Sequence, residues 1–222
     1  MPLIAEEHGV SFALLTYEQL DECVDIMTEI FAKNEPLTRL LDITAQEFAY
    51  FAEIFAEKAV REELAVCARD SDSGRMEGFC LSEDLITDPP DGIEGISPKF
   101  QPIFGLIEAL DGWFLQKRDV YPGQYLHIFM TGIARTCRNR AVSTGVVRES
   151  LLLARERGYI GALGESTHTL AIRAARRNHF RELHAIDYES FTFDGSAVFR
   201  GMGPRAKCAL MYRSLEGPYP EF

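Results

Sequence analysis

The feature that most constrains the fold is a strand-turn-helix unit in the second half of the chain. Residues 125–133 form a largely apolar run, Tyr-Leu-His-Ile-Phe-Met-Thr-Gly-Ile, which is long enough for a central strand covered on both faces. A short polar turn follows, and the spacing of apolar residues then predicts an amphipathic helix from about residue 142 to its stop at Gly158. Because the free N–H groups and the dipole of a helix start favour anions, this unit is typical of a phosphate site.

The turn itself, residues 138–143, has the sequence Arg-Asn-Arg-Ala-Val-Ser. Its two arginines and its hydroxyl group would add charge and hydrogen bonds where a pyrophosphate would lie. The same residues also fit a solvated polar turn whose serine caps the helix. Spacing alone therefore leaves both interpretations open.

Hydrophobic periodicity predicts further elements on both sides of this unit. A strand over residues 11–16 precedes a helix that stops before Pro36, because proline pushes Glu35 out of the helical region. Thr44, with Glu47 three residues later, forms a capping box that starts a second helix. The other predicted strands cover residues 64–69, 77–85, 159–165, 182–193 and 206–215, and another helix covers 168–178.

Residues 88–123 contain a helical stretch that is flanked by segments rich in Pro, Gly and Asp. We interpret this whole range as an insertion. No linker long enough to separate two domains interrupts the chain, so we expect one domain over residues 1–222 that carries this insertion. The order of strands and helices predicts a mixed α/β (α+β) sheet protein.

Composition excludes several classes of protein. The chain has 23 Lys+Arg against 34 Asp+Glu, a net charge of −11, which argues against a nucleic-acid partner. It lacks a secretory signal and an apolar run of ~18 residues, so we expect no membrane contact. Its five cysteines are scattered without metal-ligand spacing, which predicts reduced thiols, a cytoplasmic location and no metal.

The phosphate turn carries a resemblance to a known family. The pattern Arg138-x-x-Ala141-x-Ser143, followed by a helix that ends Ala154-x-x-x-Gly158, resembles the Q/R-x-x-G-x-G/A acyl-coenzyme A signature of the GNAT superfamily of N-acetyltransferases. The chain shows no motif of a P-loop nucleotide hydrolase or of an α/β-hydrolase.

The resemblance extends beyond this turn. Residues 165–167 (Glu-Ser-Thr) and 179–180 (His-Phe) lie where the superfamily has its second motif, which ends in Gly-Phe. The order of elements agrees from about residue 10 to residue 215. Residues 35–37, residues 133–138 and the insertion are most similar to the arylalkylamine (dopamine-type) N-acetyltransferases.

The resemblance implies a mixed, mostly antiparallel sheet of about seven strands, flanked by helices and splayed at its central strand pair. It also implies transfer of an acetyl group from acetyl-coenzyme A (acetyl-CoA), without a metal, to a primary amine that attacks directly in a ternary complex. The amine would be an arylalkylamine or another small molecule, and a polyamine, an amino acid, a protein N-terminus or a longer acyl group stays open. Exposed strand edges are compatible with a homodimer.

For the cofactor, the resemblance implies contacts from the end of the central strand and from the phosphate turn. Backbone N–H groups near Gly132 and Ile133 would bind the thioester oxygen. The full predicted set is Thr131, Gly132, Ile133, Arg138, Arg140, Ala141, Val142, Ser143 and Thr144.

For catalysis, the resemblance implies three residues. Glu35 is the predicted general base, because its Glu-Pro context matches the glutamate with that role in the dopamine-type enzymes. His127 is a second candidate, since vertebrate members carry a histidine pair on this strand, but a core histidine with satisfied hydrogen bonds explains it as well. Thr167 matches one of two hydroxyl residues beside the site, and Ala171 replaces the other.

The chain also departs from the family pattern. Ala141 and Ser143 replace two glycines, and His179 replaces a third. Ala175 occupies the position of the tyrosine that many members use as general acid. These departures leave an alternative, a catalytically degenerate GNAT protein that binds acyl-CoA as a sensor or acts as an interaction domain.

Overall fold

The computed structural model describes residues 3–137, 139 and 141–217. Its strands form one sheet with the order β1-β2-β3-β4-β5-β6-β8-β7. The strands are β1 (Leu3–Glu7), β2 (Val10–Leu14), β3 (Ala65–Asp70), β4 (Met76–Asp84), β5 (Tyr125–Ile133), β6 (Gly161–Ser166), β7 (Arg181–Asp187) and β8 (Lys207–Ser214). The helices are α1 (Leu20–Asn34), α2 (Pro36–Leu40), α3 (Ala45–Arg61), α4 (Gln101–Leu115), α5 (Ala141–Glu156) and α6 (Thr169–Arg177).

Pairing in the sheet is antiparallel except between β5 and β6, the central pair. These two strands pair in parallel at Tyr125–His127 against Gly161–Leu163, and beyond these positions they diverge. The mixed, mostly antiparallel sheet with a central splay is therefore confirmed. It has eight strands rather than about seven. The additional strand is β1, a short and partly charged edge strand that the sequence did not predict because it has no strong apolar alternation.

Local chemistry fixes several element boundaries where the sequence predicts them. Glu35 is extended between α1 and α2, with φ −73° and ψ 125°, as expected before Pro36. The capping box starts α3: Thr44 N–H donates to Glu47 Oε2 at 2.8 Å, and Glu47 N–H donates to Thr44 Oγ1 at 3.2 Å. The predicted strand over 182–193 is wrong beyond Asp187, because the chain turns back there.

Helices cover both faces of the sheet. Neighbouring residues of β3 point into opposite cores, with Cys67 beneath α1 and α3 and Val66 beneath α5. The predicted insertion contributes α4, whose Leu106, Leu110 and Phe114 pack against β8 and the turn after β7. None of the described helices is both long and apolar enough to cross a membrane.

Candidate active site

A cavity of about 480 Å³ opens where β5 and β6 diverge. We call one part of it the aromatic chamber, because six phenylalanines line it. These are Phe31, Phe48, Phe51, Phe100, Phe104 and Phe129. We call the other part the helix groove, because it lies between α5 and α6. Its lining includes Ser143, Val146, Val147, Leu170, Ala171 and Ala174.

Two glycines permit the close packing around the opening. A Cβ atom on Gly164 would lie 2.7 Å from the carbonyl oxygen of Ile128, on the neighbouring strand. A Cβ atom on Gly132 would lie 2.5 Å from the ring of Phe79. Both distances are shorter than van der Waals contact, so any side chain at either position would force the surrounding structure to shift.

The open edge of β5 presents backbone donors to the cavity. Ala134 N–H donates to Glu77 O at 2.9 Å, and Gly132 pairs with Phe79, so both face β4. Backbone groups alternate in an antiparallel ladder, so the N–H groups of Thr131 and Ile133 point toward the splay instead. The predicted donors near the end of the strand are therefore best assigned to Thr131 and Ile133, and all three residues from 131 to 133 line the cavity.

Glu35 and Thr167 meet at the cavity wall. Thr167 Oγ1 donates a hydrogen bond to Glu35 Oε1 at 2.8 Å, across 132 residues of sequence. The other carboxylate oxygen, Oε2, accepts from Thr38 N–H at 2.6 Å and so caps α2. Tyr188 O–H donates to the Thr167 carbonyl at 2.7 Å. The Glu35 carboxylate is thus half-buried, lines the cavity and is held in one orientation.

His127 is buried between two carboxylates. Its Nδ1 lies 3.0 Å from Glu83 Oε1, and its Nε2 lies 2.8 Å from Glu165 Oε2. Burial alone would lower the pKa of His127, but the charge of Glu165 and hydrogen bonds to both carboxylates hold it well above its ordinary value. Both ring nitrogens therefore donate. Glu165 and Phe129 line the cavity, whereas His127 contacts both from behind them.

Asp111, on α4, completes a charged cluster with these residues. Its carboxylate, the His127 ring and Glu165 have ligand atoms within 4.8 Å of one another, close enough to hold a metal ion. Burial, and next the charge of Glu165, raise the pKa of Asp111 to about 8, so it is mostly protonated at neutral pH. Lys58 Nζ lies 2.7 Å from Glu83 Oε2 and 3.0 Å from Glu62 Oε1, so its charge is shared between two carboxylates. The absence of a metal stays a prediction.

The phosphate turn is described in part. Arg138 and Arg140 lie outside the described residues. Ala141, Val142, Ser143 and Thr144 form the first turn of α5, and among them Ser143 lines the cavity. Asn139 Oδ1 accepts from Ala141 N–H at 3.0 Å and so satisfies one of the donors at the start of the helix.

The residues that replace family glycines behave differently from one another. Ala141 and Ser143 lie within a helix, where no left-handed conformation is needed. His179 has φ 61°, in the left-handed region that favours glycine. The backbone therefore has a conformation typical of glycine, and the histidine side chain destabilises that conformation by about 1 kcal/mol. Ala175 lines the cavity and offers no acid group.

Sequence reasoning missed the roles of Asp111, Glu83 and Glu165. One signal for Asp111 was present, because an acidic residue follows Leu110 on the apolar side of the insertion helix. Glu165 was noted as part of a motif, and its spacing of two residues from Thr167 places both on one side of an extended chain. These side chains come from three separate elements, α4, β4 and β6, so no pattern within a short stretch of sequence indicates their contacts.

No family model matches this sequence, and a search of curated proteins gives no match either. Solved structures do match. The C-terminal condensation domain of Ebony, in complex with β-alanyl-dopamine, has a TM-score of 0.82 at 21% identity and covers 92% of this chain and 98% of that domain. Arylalkylamine N-acetyltransferase 2 from Aedes aegypti has a TM-score of 0.78 at 18% identity, covering 94% of this chain and 100% of that one. The chain has the GNAT fold.

A further GNAT-fold neighbour acts on a different amine. Drosophila melanogaster polyamine N-acetyltransferase, which catalyses the formation of N-acetylagmatine, has a TM-score of 0.75 at 14% identity and covers 92% of this chain and 99% of that one. The fold that the sequence motifs imply is therefore confirmed. At these identities the likeness establishes the fold alone, so the reaction has to be argued from the site.

Proposed function

We propose that this protein is an N-acetyltransferase that moves an acetyl group from acetyl-CoA to a primary amine. The observation that carries this proposal is the Glu35–Thr167 hydrogen bond, which holds a carboxylate in a fixed orientation beside the opening between β5 and β6. The solved neighbours that are named as acetyltransferases act on amines, which supports the same reaction class here.

The donor would bind through the splay and the helix groove. The N–H groups of Thr131 and Ile133 would donate to the thioester carbonyl oxygen, where negative charge develops during attack. The pyrophosphate would lie at the start of α5, near Ser143 and Thr144. Arg138, Arg140 and the backbone of Ala141 and Val142 complete the set that we propose for the cofactor. Gly132, whose backbone pairs with Phe79 on β4, would act only by leaving room for the close packing at the opening.

The acceptor would enter the aromatic chamber with its nitrogen toward Glu35. A primary amine is an ammonium ion at neutral pH, so Glu35 removes one proton before attack. The nitrogen then forms a bond to the carbonyl carbon, and the bond from that carbon to sulfur breaks. The second proton of the nitrogen passes through water to the leaving thiolate, which gives the neutral amide and the free thiol. Thr167 orients Glu35 throughout, by the hydrogen bond at 2.8 Å.

His127 would assist from behind the cavity wall. Both of its ring nitrogens are engaged by Glu83 and Glu165, so it has no lone pair with which to accept a proton from the amine. We assign it as a positioning residue that acts through Glu165.

A second candidate function is binding of acyl-CoA without catalysis. Ala175, in place of the tyrosine that many GNAT enzymes use as general acid, favours it because the leaving thiolate has no acid group beside it at this position. The two candidates share the cofactor half of the site and differ in whether an amine is consumed.

Two measurements separate these candidates. Calorimetric titration with acetyl-CoA is expected to show binding that Ala174→Trp weakens by at least about tenfold, since the indole would fill the helix groove. Release of the coenzyme A thiol is then followed with phenethylamine, tyramine, agmatine and spermidine. Thiol release with an amine supports the transferase, binding with no release for any amine supports the non-catalytic candidate, and absence of binding overturns both.

A further inference from the structure

A second cavity lies on the other side of the wall that carries Thr167. Its volume is about 720 Å³, and its lining comes from α2, α6, β7 and the chain before β8. Thr167 and His168 line both this cavity and the first one. Across the wall, Glu35 lines only the first cavity and Pro36 only the second. A volume in the range of ~300–1,000 Å³ is typical of small-molecule sites, and the proposed function leaves this cavity without a role.

Positive charge is concentrated in the second cavity, although the protein as a whole is acidic. Among the described residues that line it, four side chains are cationic and one, Glu182, is a carboxylate, whereas the whole chain has a net charge of −11. We call this cavity the basic pocket. Its cationic residues are Arg39 on α2, Arg176 on α6, Arg205 just before β8 and Lys207 at the first position of β8.

The single carboxylate neutralises only part of this charge. Glu182 Oε1 lies 2.5 Å from Lys207 Nζ, and Glu182 Oε2 lies 3.4 Å from a terminal nitrogen of Arg176. The guanidinium groups of Arg39 and Arg205 have neither an ion pair nor a hydrogen bond within the part of the chain that the structure describes. Carboxylate and phosphate oxygens match the planar geometry of a guanidinium group. Two such groups in one pocket therefore favour a ligand with at least two anionic groups.

The backbone at Arg205 has an unfavourable conformation. Its φ of 59° lies in the left-handed region, where a side chain costs free energy and glycine does not. Backbone strain of this kind is concentrated at binding sites. The strain at Arg205 therefore agrees with a binding role for the guanidinium group, which the pocket charge indicates independently.

The basic pocket is separate from the helix groove. Helix α6 presents Ala171 and Ala174 to the groove, whereas Thr169, Ile172 and Arg176 line the basic pocket. With 3.6 residues per turn, these two sets of positions lie on different sides of the helix. An acetyl-CoA molecule in the groove would therefore leave the basic pocket open to a second ligand.

We propose that the basic pocket binds a small polyanion, a di- or tricarboxylate or a phosphate ester, at a site distinct from that of acetyl-CoA. Arg39 and Arg205 bind the anionic groups of this ligand, and Arg176 and Lys207 add to the positive potential. The ligand connects α2, which begins directly after Glu35, to the start of β8. This inference goes beyond the proposed function and does not depend on it, because binding is measured without turnover.

The test is calorimetric titration of the protein with citrate and, separately, with inorganic pyrophosphate. Excess coenzyme A is present at low salt, so that pyrophosphate does not occupy the phosphate turn. We expect saturable binding of at least one polyanion with a Kd below about 1 mM. Added sodium chloride should weaken this binding, and acetate, with one negative charge, should show none. The tighter of the two probes identifies the carboxylate or the phosphate class.

Two variants test the assigned residues. Arg39→Gln and Arg205→Gly should each weaken binding of the polyanion by at least about fivefold, because each removes a charge-assisted contact. Arg205→Gly should keep the wild-type Tm, since glycine adopts the left-handed conformation without strain. Its loss of binding would then not result from a loss of folding.

The matched control is Arg200→Gln, which removes an exposed positive charge from the same connection but from a residue outside the described lining of the pocket. Binding that Arg200→Gln retains and the other two variants lose would support the proposal. Equal weakening in all three would indicate general charge attraction and overturn it. Absence of saturable binding for both polyanions would overturn it as well.

The relation to acetyl-CoA is tested with the same variants. Acetyl-CoA affinity should stay within about threefold of wild type in Arg39→Gln and Arg205→Gly. A loss of tenfold or more in both would show that these arginines bind the phosphates of the cofactor, and would overturn a separate site. A wild-type protein that binds citrate through Arg39 and Arg205 but binds no acetyl-CoA would support this inference and overturn the proposed function.

Discussion

In the proposed function, the aromatic chamber and the helix groove would recognise their ligands by different physical means. The chamber uses side chains that converge from distant segments: Glu35 follows α1, Thr167 follows β6, and Asp111 comes from the insertion. The groove uses backbone N–H groups, a helix start and small side chains. Backbone groups are present whatever the residue type, so we expect the groove to tolerate the loss of its glycines. The chamber has no such tolerance, because each contact needs one particular functional group.

The largest effect is expected from Glu35→Gln in the chamber. It removes the proposed base, and its amide oxygen can still accept from Thr38 N–H to cap α2. We expect kcat/KM for the amine to fall by about 10² to 10⁴, with acetyl-CoA affinity unchanged in a calorimetric titration. Glu29→Gln, on the exposed side of α1, is the control and should keep wild-type activity. Equal activity of Glu35→Gln and wild type would remove Glu35 from the mechanism.

A smaller loss is expected from Thr167→Val, which keeps the shape of the side chain and removes its hydroxyl group. A hydrogen bond to a carboxylate contributes about 1.5–3 kcal/mol, so kcat/KM should fall by about 10- to 100-fold. Thr169→Val, at an exposed position two residues further on, provides the comparison. Steady-state kinetics that show the same loss in both variants would contradict a specific role for the Thr167–Glu35 bond.

The buried charges of the chamber also predict a pH dependence that the groove does not share. The pKa of Asp111 is raised to about 8, so the folded protein keeps a proton that the unfolded chain loses. Its stabilising contribution is present below about pH 4 and is lost as the pH rises toward 8. Urea unfolding of Asp111→Asn should therefore show a smaller fall in stability from pH 5 to pH 8 than wild type. Asp72→Asn, in the exposed β3–β4 hairpin, should show the wild-type fall.

The smallest effect is expected in the helix groove, from Ser143→Gly. This variant restores a glycine of the family pattern, but Ser143 lies in helical conformation, where the substitution relieves no strain. We expect the affinity for acetyl-CoA to change by less than about threefold, about 0.6 kcal/mol. A gain of tenfold or more on titration would show that backbone approach at this position limits binding.

The elements with local signals could be predicted from the sequence, whereas those that depend on distant contacts could not. Pro36 and the Thr44 capping box fix two helix boundaries by chemistry within four residues, and the structure has them at those positions. The edge strand β1 was missed because half-exposed positions show no alternation. The end of β7 was placed too late because apolar residues such as Phe191 and Phe193 continue past the turn.

The same limit applies to the site. Glu35 and Thr167 were predicted only because their short motifs resemble those of a known superfamily, and nothing in the spacing joins two residues that are 132 positions apart. The neighbours of His127 come from α4, β4 and β6, so its burial could not be inferred from the alternation of β5. The proposed catalytic and cofactor roles of these residues stay predictions.

The central claim is that an amine held in the aromatic chamber attacks the thioester of an acetyl-CoA molecule that is held at the splay and in the helix groove. The most direct measurement is amine-dependent release of coenzyme A thiol from acetyl-CoA, with the acetylated product identified by mass spectrometry. The account predicts thiol and N-acetylated tyramine in equal amounts, with no release when the amine is omitted. Thiol release that does not depend on an amine, or bound acetyl-CoA that no amine can discharge, would contradict it.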